Sequence, residues 1–153
     1  MKVKENRHLN VIYMHTHDSG RYWSPYGYNI PTPSILRFAK EATVFRQCYC
    51  AGPTCSPSRA GLLTGYTPHE NGMQGLASRG WELNDYGHHL ANYMGKNGYE
   101  TALCGIQHEA PDYNMIGYDR IIGSQEFNMD QTEESMENWD YFNTEEACRY
   151  LEE

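Results

Sequence analysis

Apolar positions fall in short blocks separated by polar joints rich in glycine and proline. The first block, Leu9-Asn10-Val11-Ile12-Tyr13-Met14, is β-rich and has the length of a buried parallel strand. A helix is predicted next, with Thr32 as its cap, Pro33 in its first position, and Ile35, Leu36, Phe38 and Ala39 as its buried face. Residues 43–51 predict a second strand, which leads through Gly52-Pro53-Thr54 into Cys55-Ser56-Pro57-Ser58-Arg59-Ala60-Gly61-Leu62-Leu63-Thr64-Gly65. That segment predicts a helix with Ser56 as N-cap, Pro57 at the first position and Gly65 as terminator. Residues 66–76 read as a loop with a turn at Asn71-Gly72. Residues 86–98 predict an amphipathic helix with Leu90, Tyr93 and Met94 on one face and Gly98 at its end. Its neighbouring His88 and His89 do not share a helix face, so capping or solvation suits them better than metal binding. A third strand is predicted at residues 99–105, and residues 112–123 read as a loop and a short strand. A last helix starts at Asn143 or Thr144 and runs through Ala147, Tyr150 and Leu151.

Composition bounds the possibilities. The 153 residues suffice for one modest domain, and the mean hydropathy of −0.77 describes a polar chain. No apolar run is long enough to span a bilayer, so no membrane partner is expected. The charged start, Met1 to Arg7, has no apolar signal region, which is expected of a cytoplasmic protein or of a processed secreted one. Five cysteines (Cys48, Cys50, Cys55, Cys104 and Cys148) without C-x-x-C pairs argue against a disulfide framework or structural zinc. Cys48 and Cys50 are expected to be buried as small apolar residues. The net charge of −8 is lopsided: residues 126–153 hold ten acids and one base, whereas residues 1–125 hold ten acids and eleven bases. No basic face suited to nucleic acid emerges, and the acidic span 125–142 is expected to be mobile.

The candidate chemistry concentrates on Cys55. It stands at a helix start, where free N–H groups and the helix dipole favour an anion. Arg59, in the first turn, adds a cation suited to an oxyanion. The spacing C-x-x-x-R is too short for the phosphate cradle of a thiol phosphatase. Two further polar segments follow strand ends, where open α/β sheets place ligands. These are His15-Thr16-His17-Asp18, after the first predicted strand, and Ile106-Gln107-His108-Glu109, after the third.

The run Cys55-Ser56-Pro57-Ser58-Arg59-Ala60-Gly61-Leu62-Leu63-Thr64-Gly65 resembles the C-x-P-S-R-A-x-L-L-T-G signature of the type I sulfatases. The stretch His69-Glu70-Asn71-Gly72-Met73-Gln74-Gly75-Leu76 is similar in particular to the heparan N-sulfatase branch. The resemblance implies an α/β fold, the N-terminal portion of an alkaline-phosphatase-like sandwich with a mostly parallel central sheet flanked by helices. Residues 1–153 then correspond to an N-terminal fragment of a sulfatase catalytic domain, inactive alone. It further implies that Cys55 is oxidised to formylglycine by a formylglycine-generating or anaerobic sulfatase-maturating enzyme. Arg59 and His108 would be catalytic, and Asp18, Cys55 and His17 would bind a divalent metal, Ca2+ by family precedent. His17 stands where the family has a second aspartate, and imidazole suits transition metals better than calcium. Ile106 stands where the family has a sulfate-gripping lysine. The expected substrate is a sulfate ester, of a sulfated saccharide. A phosphonate or phosphate ester hydrolase of the same superfamily, and a non-catalytic binding protein with unmodified Cys55, are the alternatives.

Overall fold

The computed structural model describes residues 9–123 and 133–153. The chain divides into two compact units, Met1–Cys48 and Tyr49–Glu153.

In the first unit a single turn at Ser24–Tyr26 precedes helix α1, Pro33–Ala39. Pro33 takes the first helical position after Thr32, as the sequence predicts. The Thr32 side chain does not cap the helix, however. Its hydroxyl donates to Ser24 Oγ at 2.8 Å and accepts from the Ser24 N–H at 3.1 Å. The Thr32 N–H in turn donates to Ser24 Oγ at 3.0 Å. This clasp fixes the entry to α1 from the turn before it, so the hydroxyl serves a tertiary link instead of the local cap. The expected buried face is half formed: Ile35 and Ala39 are half-buried, while Leu36 and Phe38 are exposed.

Residues 9–14 and 43–51 form no strands, contrary to the pattern. A strand exists only where a neighbour supplies a ladder, and none is available to these runs among the described residues. Val11, Ile12 and Met14 lie 65%, 69% and 82% exposed. Cys48 and Cys50 are exposed thiols, not buried ones, because the strand expected to bury them does not form.

The second unit carries the α/β character. Strands β1 (Ala102–Cys104) and β2 (Arg120–Ile122) pair in parallel, with Leu103 opposite Ile121. Thr101 sets the register from outside the ladder. Its N–H and hydroxyl both donate to Asp119 Oδ2, at 2.8 and 2.9 Å. These bonds hold the Asp119 carboxyl below the usual range.

Helix α2 spans Cys55–Thr64 and ends on Gly65 at φ 74°, the left-handed conformation that favours glycine. Residues 66–76, expected as a loop, contain the short helix α3, Pro68–Asn71, closed by a capping box between Thr67 and Glu70. The predicted helix over 86–98 is shorter than its pattern: a turn at Tyr86–His88, then α4 over Leu90–Lys96. Its buried face also differs. Ala91 is buried, whereas Leu90 and Tyr93 are exposed. The core joins Ala60, Met73, Ala77 and Leu83, with Tyr86 packed against it.

Helix α5, Glu133–Glu152, begins ten residues before the predicted cap. Residues 133–142 of the acidic span are therefore helical, and 125–132 lie outside the described residues. Cys104 Sγ donates to the Asn143 carbonyl at 3.2 Å, which ties α5 to β1. Arg120 reaches Glu153 at 3.1 Å and lies over the Tyr150 ring. Among the described residues no helix is long and apolar enough to cross a membrane.

Candidate functional site

Two glycines bring Cys55 to its place. A Cβ on Gly52 would lie 2.9 Å from Pro57 Cβ, and one on Gly61 would lie 2.4 Å from Ala51 Cβ. The backbone of residues 51–54 can therefore lie flat against α2 only because side-chain atoms are missing at the contact. Cys55 is the first residue of that helix, two positions further in than the sequence predicts. Thr54 is the N-cap and makes no side-chain cap bond. Ser56, expected to cap, is buried, and its hydroxyl accepts the Ala77 N–H at 3.1 Å. A buried N–H without a partner is expensive, so the long-range bond claims the hydroxyl. Gly65 ends the helix as predicted.

Arg59 follows Cys55 by four residues, one turn on and on the same side of α2. It is 8% exposed, much more buried than an arginine near a helix start usually is. Its Nη1 donates to the Ile106 carbonyl at 3.4 Å. The structure thus joins two segments that the sequence places 47 residues apart.

The second segment leaves β1 through Gly105, at φ 80°, and is held by its own side chains. Gln107 Oε1 accepts the N–H groups of Glu109 and Ala110, at 2.8 and 2.9 Å. Gln107 Nε2 donates to the Ala110 carbonyl at 2.9 Å, and the Tyr86 hydroxyl donates to the Glu109 carbonyl at 3.1 Å. His108 is half-buried, and its N–H donates to Glu109 Oε2 at 3.0 Å. Glu109 is 2% exposed. Burial pushes its carboxyl above the usual range, against the opposing pull of the Arg59 charge and the His108 N–H. The sequence reading named His108 and passed over Glu109. The available signal was Arg59: a cation fixed at a helix start and packed inward requires an anion nearby.

His17 and Asp18 lie in the first unit. His17 Nδ1 is 3.0 Å from Asp18 Oδ2, and Asp18 adopts φ 53°, a left-handed conformation that Asp tolerates better than most residues. Asp18 is highly exposed and offers a hard carboxylate oxygen. Calcium asks for about six to eight oxygen ligands. This pair supplies one carboxylate and an imidazole already turned to it. Asp18 fits as one ligand of such an ion, and His17 fits as its orienting partner better than as a calcium ligand.

His69 and His88 are exposed. His89 is buried and caps α4, its Nδ1 accepting the Ala91 N–H at 3.2 Å. Burial drives its pKa down to about 4, so it is neutral at pH 7, and it belongs to the scaffold.

Comparison with known proteins gives one consistent result. The sulfatase family model matches residues 10–151. An N-acetylglucosamine-6-O-sulfatase of Bacteroides thetaiotaomicron is 36% identical over 124 residues, covering 80% of this chain and 22% of that protein. The human N-sulphoglucosamine sulphohydrolase is 34% identical over 85 residues, covering 54% of this chain and 17% of that protein. An arylsulfatase of Clostridium perfringens is 33% identical over 94 residues, covering 61% and 19%. The chain spans about a fifth of the length of these curated relatives.

Proposed function

Since the chain belongs to the sulfatase family, we propose that it forms part of an enzyme that hydrolyses sulfate esters of a carbohydrate, with position 55 as the nucleophile. The observation that carries this reading is the pairing of Cys55 with a buried Arg59 one turn along α2, itself held by the loop that bears His108. The saccharide assignment draws support from relatives named N-acetylglucosamine-6-O-sulfatase and N-sulphoglucosamine sulphohydrolase.

Sulfuryl transfer needs an oxygen nucleophile, stabilisation of charge on the sulfuryl oxygens, and a proton for the leaving group. A thiolate at 55 would leave a thiosulfate-type adduct that is awkward to discharge. Formylglycine at 55, made from Cys55 by a formylglycine-generating or anaerobic sulfatase-maturating enzyme, supplies a hydrated aldehyde whose hydroxyl can attack sulfur. The N–H groups of the α2 start face an anion there. Arg59 presents further donors from the same side and offsets the charge that develops on the sulfuryl group. His108, on a loop braced by Gln107 and Glu109, is the candidate proton donor to the leaving oxygen. Asp18 would contribute to holding a divalent cation, Ca2+ by family precedent, which when bound polarises sulfuryl oxygens.

The test is direct. Peptide mass spectrometry across Cys55, on the full-length protein made beside a maturation enzyme, is expected to show the loss of mass that accompanies thiol-to-aldehyde conversion. The same preparation is expected to turn over an aryl sulfate faster than an aryl phosphonate, and Cys55→Ala is expected to abolish turnover. Preference for the phosphonate would support the phosphonate-hydrolase alternative. An unmodified Cys55 under those conditions, with no turnover, would favour the binding-protein alternative.

A further inference from the structure

Residues 20–28 follow His17 and Asp18 in the first unit and carry an aromatic cluster around a single cation. Arg21 Nε donates to the Tyr28 hydroxyl at 2.8 Å, and the guanidinium lies 5.7 Å from the centre of the Tyr28 ring. The Tyr22 ring meets Tyr28 edge-on at 5.0 Å. The loop is closed on itself. The Trp23 indole N–H donates to the Gly20 carbonyl at 3.0 Å. The Trp23 backbone N–H donates to the Arg21 carbonyl at 2.9 Å, and the Gly27 N–H to the Ser24 carbonyl at 3.0 Å. The clasp between Ser24 and Thr32 anchors the loop at the entry to α1.

The ordered side chains at the centre of this loop face water. Arg21 is exposed, and Tyr22 is 59% exposed. Among the described residues no carboxylate pairs with Arg21, and only its Nε is engaged. The two terminal nitrogens are available to a carboxylate or a sulfate, which a guanidinium fork binds in bidentate fashion. The Tyr22 ring beside it offers an apolar face to the C–H face of a sugar. Side chains already held in place lose little freedom when a ligand binds. Arg21 follows Asp18 by three residues, so their Cα atoms lie at most about 11 Å apart. A saccharide whose scissile sulfate sits at the cation of Asp18 would have its neighbouring sugar within that reach. Arginine over tyrosine also occurs as simple surface packing, and the two roles differ in whether they discriminate between ligands.

We propose that Arg21 and Tyr22 form a subsite for a second anionic group of the saccharide, a carboxylate or a sulfate on the sugar next to the one that loses its sulfate. Arg21 takes the anion, and Tyr22 stacks on the sugar ring. Tyr28 is a positioning residue, whose hydroxyl holds the guanidinium at Nε and whose ring lies beneath it. The inference rests on the sulfate-ester reading above and adds what would select the saccharide, namely charge on the neighbouring sugar. None of the three residues belongs to the signature run at 55–65.

The experiment measures sulfate release by the full-length, matured protein from three disaccharides that share one scissile sulfate. The neighbouring sugar is neutral in the first, carries a carboxylate in the second and carries a second sulfate in the third. 4-Nitrophenyl sulfate serves as the reference without a sugar. The wild type is expected to favour a charged disaccharide over the neutral one in kcat/KM by roughly 10- to 100-fold, the worth of a charge-assisted hydrogen bond. Whichever charged disaccharide it favours identifies the anion. Arg21→Gln is expected to bring that ratio to about one, chiefly through KM. Arg21→Lys keeps the charge without the fork and is expected to retain only part of the ratio. Tyr28→Phe keeps the ring but loses the acceptor for Nε, and is expected to lower the ratio several-fold, which a loss of stability alone would not do. Arg37→Gln, which removes an exposed cation from α1, is expected to leave the ratio as it is. A wild-type ratio near one, a ratio unchanged in Arg21→Gln, or an equal drop in Arg37→Gln would overturn the proposal. Aryl sulfate turnover alongside any of those results leaves the sulfate-ester reading standing and removes only the subsite. A wild-type protein that releases sulfate from none of the four substrates removes both.

Discussion

Replacing His89 by asparagine isolates one proton equilibrium in the scaffold. His89 is fully buried, and its Nδ1 accepts the Ala91 N–H at the start of α4. Its Nε2 has no hydrogen-bond partner among the described residues, and the ring meets Tyr118 edge-on at 5.7 Å. With Nδ1 occupied as an acceptor, Nε2 carries the proton of the neutral ring. Protonation would force Nδ1 to become a donor facing an N–H in a buried site. Burial lowers the folded pKa to about 4, against about 6.5 in an unfolded chain. The sign follows from linkage. Between those values the unfolded state binds the extra proton, so stability is fully present above about pH 6.5 and drains away as pH falls toward 4. From pH 7 to 4.5 the loss attributable to His89 is about 2 kcal/mol. Asparagine retains a cap acceptor for α4 but does not titrate. His89→Asn should be the less stable protein at pH 7, by about 1–2 kcal/mol for the lost packing. It should then draw level with, or overtake, the wild type at pH 4.5. Urea unfolding followed by tryptophan fluorescence at both pH values measures the difference, and carboxylates that titrate in both proteins cancel from it. A wild-type minus variant difference that stays constant between pH 7 and 4.5 would refute the reasoning.

Two other substitutions test the framework of the site. Ser56→Ala should destabilise by about 1–3 kcal/mol, because it leaves the buried Ala77 N–H without its acceptor. Thr54→Ala, at the true N-cap but without a side-chain cap bond, should change stability by less than about 0.5 kcal/mol; thermal unfolding of the pair decides which residue matters. Asn92 Nδ2 donates to the carbonyls of Tyr86 and Ile116 and so joins α4 to the loop before β2. Asn92→Asp should be more damaging than Asn92→Ala, since an acceptor-only carboxylate would face two carbonyl oxygens. Hydrogen exchange in residues 86–98 and 112–119 should accelerate in that order.

Local chemistry decided which elements could be seen in the sequence. Gly65 ends α2 because a left-handed residue is required there, and that requirement is written in the sequence itself. Pro33 opens α1 for an equally local reason. The runs at 9–14 and 43–51 have the same apolar, β-rich character as residues 102–104, yet only the last run forms a strand. What separates them is a ladder partner: Arg120–Ile122 is available to β1, and nothing in a strand's own residues announces its neighbour. The hydroxyls of Ser56 and Thr32 failed as caps for a related reason. Each is a good cap by type, and each was claimed by a more distant group whose need a linear pattern does not show.

The candidate site divides along the same line. Cys55 and Arg59 are four residues apart on one helix, so helix geometry alone predicts that they share a face, and the signature in the sequence is a local object. One partner of Arg59, the Ile106 carbonyl, comes from a strand exit 47 residues further on. Resemblance could name His108 there because it occupies a family position, but it could not name Glu109, which that pattern lacks. A physical requirement does reach it. An arginine buried to 8% exposure must meet opposite charge or oxygen acceptors, and the loop carrying Ile106 and Glu109 meets part of that requirement with the Ile106 carbonyl at 3.4 Å, while the Arg59 charge acts on the Glu109 carboxyl.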